Sequence, residues 1–117
     1  MTIYHIAYLA DWEQAKAEGE YLLSTKGRTL DEQGFIHASD LHQVLSTADF
    51  VYRGDDPAAL VVLEIDPERL GPGVEVRYEE VPNSPDPFPH IFGPIRPAAV
   101  TGTRSLAKDE HGKFVLG

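Results

Sequence analysis

The chain has 117 residues, 42% hydrophobic and 25% charged, the length and balance of one globular domain with a core of its own. Nineteen acidic against ten basic side chains give a formal charge of −9, which repels phosphate backbones and disfavours general nucleic-acid binding. The absence of cysteine excludes disulfide frameworks, thiolate metal sites and cysteine nucleophiles, and apolar runs of about six residues fall far short of the ~20 needed to cross a bilayer. Asp11 and Glu13 interrupt the first apolar stretch too early for a signal peptide, so a soluble cytoplasmic protein without membrane contact is expected.

Ile3 to Leu9 is apolar and reads as a strand. Asp11 followed by Gln14 resembles a capping box, opening a helix through Ala17 that stops at Gly19 and is briefly prolonged by Tyr21 to Ser24. Thr25 to Gln33 reads as a polar surface loop and Phe35 to Ala38 as a short strand. Ser39 or Asp40 caps a second helix, with Leu41, Val44, Leu45 and Ala48 at helical spacing, and Arg53 to Pro57 breaks it. Leu60 to Ile65 has the pattern of a central strand buried on both faces. A turn at Asp66 to Gly71 leads to an alternating strand, Val74 to Val81. Six of the nine prolines fall between Pro82 and Pro97, which reads as a stiff, extended connection rather than regular structure. Ala98 to Thr103 and Lys113 to Leu116 read as a closing hairpin around His111-Gly112. Helices and strands alternate early and strands dominate later, which implies a single α+β domain with two short helices and a mixed or mainly antiparallel sheet.

Three of the five histidines, His5, His37 and His90, stand in apolar runs where an imidazole must find polar partners or lose free energy. His5 shares a strand face with Ile3 and Ala7; taken alone, such a histidine is more often a satisfied structural residue. His37 precedes a helix N-terminus, where free N–H groups suit a phosphate or carboxylate, although Ser39 or Asp40 also fits there simply as the cap. Pro87 and Pro89 stiffen the chain leading into His90, with Phe88 and Phe92 beside it as possible stacking surfaces. His42 and His111 read as solvated, as do the acid pairs Glu79-Glu80 and Asp109-Glu110. Three imidazoles also suit zinc, but no short-spaced ligand pair such as HExxH is present, and neither is GxSxG, a P-loop or GxGxxG.

The stretches Ile3-Tyr4-His5-Ile6, Gly34-Phe35-Ile36-His37-Ala38-Ser39, Val61 to Asp66 and Phe88-Pro89-His90-Ile91-Phe92-Gly93-Pro94-Ile95 together resemble the small bacterial proteins grouped as domain of unknown function 952. The opening Ile3-Tyr4-His5, followed by a helix ending at Gly19, is also distantly similar to the ADP-ribosyltransferase superfamily. That resemblance implies a split sheet, NAD as cofactor, a ribose contact for His5 and a phosphate or amide contact for Ser39. It places His37 and Ser39 at the second motif and His90 at the third, where the superfamily usually has a glutamate. An imidazole there stabilises an oxocarbenium ion less well than a carboxylate does, and Ile6 stands where a glycine is common, so ordinary protein ADP-ribosylation is not what this variant implies.

The resulting expectation is a nucleotide-binding transferase in which His5, His37 and His90 carry catalysis, with glycosyl or phosphoryl transfer as the reaction, and His5, Ser39, Phe88 and Phe92 hold the cofactor. The rival readings are a non-catalytic small-ligand or protein-binding module and a histidine-ligated metal site. On the first reading, His5→Ala and His90→Ala each abolish NAD binding, followed by NMR titration, and leave the fold intact.

Overall fold

The computed structural model describes residues 1–82 and 84–117. Strand β1 (Ile3–Tyr8) runs directly into helix α1 (Leu9–Glu18). Tyr8 is the N-cap, so Asp11 lies within the first turn, where its charge complements the positive end of the helix dipole, and does not cap it. Gly19 ends the helix in a left-handed conformation (φ 90°) and donates its N–H to the Ala15 carbonyl. Tyr21 then does not prolong the helix. It exchanges two backbone hydrogen bonds with Ile95, of 2.8 and 3.0 Å, which hold it extended.

The stretch expected to be a loop before the second strand contains helix α2 (Leu30–Gln33). Thr29 and Glu32 make it: the Glu32 N–H donates to Thr29 Oγ1 at 3.1 Å, and the Thr29 N–H donates to Glu32 Oε1 at 2.9 Å. The spacing of that reciprocal cap is legible in Thr29-Leu30-Asp31-Glu32. Strand β2 is only Ile36–His37, and helix α3 spans Leu41–Val51 from an N-cap at Asp40.

Strand β3 (Leu60–Ile65) is central as expected, pairing antiparallel with β1 on one side and with β6 (Val100–Arg104) on the other. A second sheet has the order β2-β5-β4, built from β4 (Glu75–Glu79) and β5 (Phe88–Phe92). The proline-rich segment therefore contains a central strand. Proline lacks the N–H that a ladder uses, but the Pro89 carbonyl accepts from the Ala38 N–H at 3.0 Å and keeps β2 and β5 joined. The closing hairpin pairs β7 (Leu106–Lys108) with β8 (Phe114–Leu116), because Val100–Arg104 is already taken by β3. Every strand pair among the described residues is antiparallel, and the protein is α+β with three helices.

The two three-stranded sheets meet where Tyr4 and Ser39 exchange backbone hydrogen bonds of 2.8 and 2.7 Å. One apolar cluster, including Ile3, Trp12, Ile36, Leu63 and Ile91, fills the space between the sheets and α1. The other, including Ile6, Val44, Ala48, Val62 and Phe114, lies beneath α3 and the β7–β8 hairpin. No helix among the described residues is long and apolar enough to cross a membrane. Ile91 is fully buried, so Ile91→Ala is expected to cost roughly 2–5 kcal/mol in urea unfolding, whereas Leu41→Ala, at an exposed position, costs less than about 0.5 kcal/mol.

Candidate functional site

Strand alternation divides the β2-β5-β4 sheet into two unlike faces. Ile36, Ile91 and Val76 turn to the core, while His37, His90, Phe88 and Glu79 occupy the other face. Opposite them stands α3, and between lies an open cleft of about 630 Å³. Phe35, His37, Phe88 and His90 line it from the sheet, Ser46, Thr47 and Phe50 from α3, and Ser24, Thr25 and Gln33 from the segment before β2.

His37 and His90 are direct cross-strand partners. The His37 N–H donates to Ser24 Oγ at 3.1 Å and its carbonyl accepts from His5, so both backbone groups point away from β5. Such non-hydrogen-bonded pairs bring side chains close, and the two imidazole centroids stand 5.4 Å apart. Burial, reinforced by the His90 and His5 imidazoles, lowers the His37 pKa to about 4, leaving its ring neutral at physiological pH.

His90 is buried, with its ring stacked on Phe35 at 4.0 Å and 13°. Its Nδ1 lies 2.7 Å from Glu79 Oε1. An ionised carboxylate only accepts, so Nδ1 carries the proton and Nε2 presents a lone pair when the ring is neutral. Nε2 is buried and has no hydrogen-bond partner among the described residues. Buried polar atoms almost always have partners, which makes this atom the chief anomaly of the cleft. Glu79 does not simply face solvent, contrary to the reading of its sequence neighbourhood, because register brings it diagonally across from His90.

His5 is engaged differently. Its Nδ1–H donates to the His37 carbonyl at 2.6 Å, and its Nε2 accepts from the Tyr21 hydroxyl at 2.9 Å. Both ring nitrogens are thus satisfied, and burial lowers its pKa to about 4. Burial also raises the pKa of Tyr21, keeping its hydroxyl a donor. Ser39 is buried beside it, 3.4 Å from the Thr47 hydroxyl, with its backbone bonded to Tyr4. His5 and Ser39 line a separate crevice of about 10 Å³, roughly the room for one water, behind His37. Phe92 lies on the cleft face of the sheet but outside the cleft, tilted 5.7 Å from Phe35 with the Arg77 guanidinium 4.7 Å above its ring.

The structure therefore brings His37, His90 and Phe88 together, sets His5 and Ser39 behind them, and leaves Phe92 aside. With both His5 nitrogens occupied, three free imidazoles do not converge, and no group of three histidine, aspartate or glutamate side chains among the described residues is placed to hold a metal ion. The helix-α3 N-terminus is taken by Asp40, whose N–H donates to Gln43 Oε1 at 2.9 Å. Phe35 shares the strand alternation of His37 and was legible by that signal; Glu79 and Phe50 carried none, since only tertiary register places them here. His42 and His111 are exposed, as expected.

An α+β domain of two three-stranded sheets and a two-stranded hairpin, with a paired-imidazole cleft, is the class to which these features point. A family model described as protein of unknown function, DUF952, matches residues 6–103, and the chain belongs to that family. It is similar to the crystal structure of protein CC0527 from Caulobacter crescentus, at 31% identity and a TM-score of 0.81, covering 98% of this chain and 94% of that one. The solution NMR structure of the same Caulobacter crescentus protein matches at 32% identity and a TM-score of 0.73, covering 96% and 90%. No curated protein matches the chain.

The geometry gives His5→Ala and His90→Ala different outcomes. Removing His5 orphans the His37 carbonyl and the Tyr21 hydroxyl, so that variant loses stability; Tyr21→Phe, which strands Nε2 alone, costs about 1–3 kcal/mol. The His5 contribution also depends on pH. An unfolded histidine titrates at 6.5, whereas folded His5 stays neutral down to about 4. Between those values the unfolded chain takes up a proton that the folded chain refuses, so stability falls as pH drops through this window, by on the order of 3 kcal/mol, and levels off below it. Urea unfolding at about pH 7 and about pH 4.5 should show a smaller difference for His5→Gln than for the parent protein.

Proposed function

We propose that the cleft is a small-molecule site in which the Glu79–His90 pair moves a proton to or from the ligand. The observation that carries this reading is the buried, unpartnered Nε2 of His90, whose other nitrogen is fixed by a carboxylate at 2.7 Å. A carboxylate on Nδ1 sets the tautomer and orients the ring so that Nε2 is the atom that takes or gives the proton. His37 stands beside it as a second, neutral polar group.

The ligand class proposed is a nucleotide of the NAD type, in keeping with the distant resemblance to ADP-ribosyltransferases. Support comes from the flat faces of Phe50 and Phe88 along the cleft and from Glu79, which brings a carboxylate next to the third-motif histidine. Of the two transfers expected, glycosyl transfer fits these groups better, because no lysine or arginine is among the described lining residues to neutralise a phosphoryl group in flight. In this scheme His90 acts as acid or base, His37 orients the ligand, and His5 acts indirectly by holding the His37 backbone.

One observation favours a binding module without chemistry: Nε2 is closed off from solvent in the free protein, so proton transfer requires a shift of the side chains around it. Titration with NAD and ADP-ribose, followed through the histidine ring resonances, together with an assay for nicotinamide release, separates the readings. Joint shifts of His37 and His90 with nicotinamide release are expected, and His90→Ala lowers turnover by roughly 10²–10⁴-fold, Glu79→Gln by less. Saturable shifts without release establish the binding module instead. Unmoved His37 and His90 resonances would falsify the nucleotide reading.

A further inference from the structure

The cleft has an unusual charge pattern for a nucleotide site. Its described lining residues include no lysine, arginine, aspartate or glutamate, and they belong to a chain of formal charge −9. Of the cations nearby, Lys26 Nζ pairs with Asp55 at 2.8 Å, whereas Arg28 keeps its charge at the rim, where its guanidinium donates to Gln33 Oε1 at 3.1 Å. An anion seated deep in the cleft would lose its hydration, meet no cationic side chain among the described lining residues and approach against the field of the whole molecule, with Arg28 reachable only at the rim. The nearest carboxylate, Glu79, stands behind the lining and is engaged by His90 Nδ1 at 2.7 Å.

The polar groups that remain ask for a particular partner. With the Nδ1–H of the neutral His90 ring directed at Glu79, Nε2 is an acceptor, and once the side chains that close it off shift, an N–H or O–H donor satisfies it. Arg28 occupies Gln33 Oε1, which leaves the Gln33 amide N–H groups as donors for a carbonyl or ring nitrogen. Ser24 Oγ and Ser46 Oγ are already bonded within the protein, to the His37 N–H and the Gln43 carbonyl. Phe50, 88% exposed on α3, and Phe88, 5.1 Å from His37, supply apolar faces across the opening. Covering Phe50 would remove apolar surface from water with no loss of an existing contact in the core.

We infer that the ligand portion seated in this cleft is a planar ring free of anionic groups and bearing an N–H or O–H donor for His90 Nε2, and that any phosphate or carboxylate on the ligand stays outside. This deepens the small-molecule reading above and rests on it. It also narrows it: a nucleotide would enter by its ring alone.

Matched pairs test the inference directly: benzamide against benzoate, and uridine against its 5′-monophosphate. Binding would be measured by NMR titration of the His37 and His90 resonances at low and at moderate salt. The expected result is binding of the uncharged member at least about tenfold tighter than its anionic partner, with the gap narrowing as salt screens the protein's charge. Phe50→Ser, at an exposed position that leaves the core untouched, should weaken the uncharged member at least about threefold at unchanged thermal stability. Equal or tighter binding of the anionic members overturns the inference while leaving the site itself standing. If no member of either pair moves these resonances, the cleft is not a site for planar rings, and the inference falls for that separate reason.

Discussion

Between β1 and β2 the backbone ladder is too short to hold two sheets together, and the His5 side chain completes it. Tyr4 and Ser39 supply one pair of backbone bonds; at the neighbouring position the His37 carbonyl meets an imidazole N–H, and the His37 N–H meets the Ser24 hydroxyl. The second His5 nitrogen reaches Tyr21, which is itself bonded through its backbone to Ile95. One neutral ring thereby ties together β1, the end of β2 and the segment after α1. In a buried setting each of these bonds matters more for what its loss would leave unsatisfied than for its own net strength.

The cleft depends on that seam. β2 contains only two residues, too few to keep a register without help, yet its register decides that His37 faces His90. A slip of one residue would turn Ile36 into the cleft and His37 into the core. His5 and Tyr21 thus position a site that they do not themselves enter. The histidines divide accordingly. His5 is used up in construction, whereas His90 keeps a ring nitrogen with no hydrogen-bond partner among the described residues.

His90 is held from three directions, by the Glu79 carboxylate, by the Phe35 ring and by the backbone of a strand that includes Pro89. Such restraint suits a group whose remaining nitrogen must meet a ligand at a fixed angle. The absence of charged side chains among the described residues lining the cleft is equally consequential, because even one lysine there would change which ligands are admitted. The family and the Caulobacter crescentus structures agree with the fold; the chemistry has to be argued from these side chains.

Much of the architecture was legible in residue order, because local rules act within a few positions. Continuous apolar runs marked β1 and β3, Gly19 marked the end of α1, and helical spacing marked α3. Proline density misled at β5, where a carbonyl carries the bond that the missing N–H does not, and the cap at Thr29 and Glu32 went against the polar composition of its surroundings. By itself the sequence placed three histidines among apolar neighbours, where an imidazole needs partners; His5 and His90 are buried and His37 is half-buried. Only the tertiary structure decided which partners they found. Register between strands distant in sequence brought Glu79 to His90 and His37 to His90, while His5 was closed off by His37 and Tyr21. Those pairings depend on loop closure and sheet order, which no local pattern encodes.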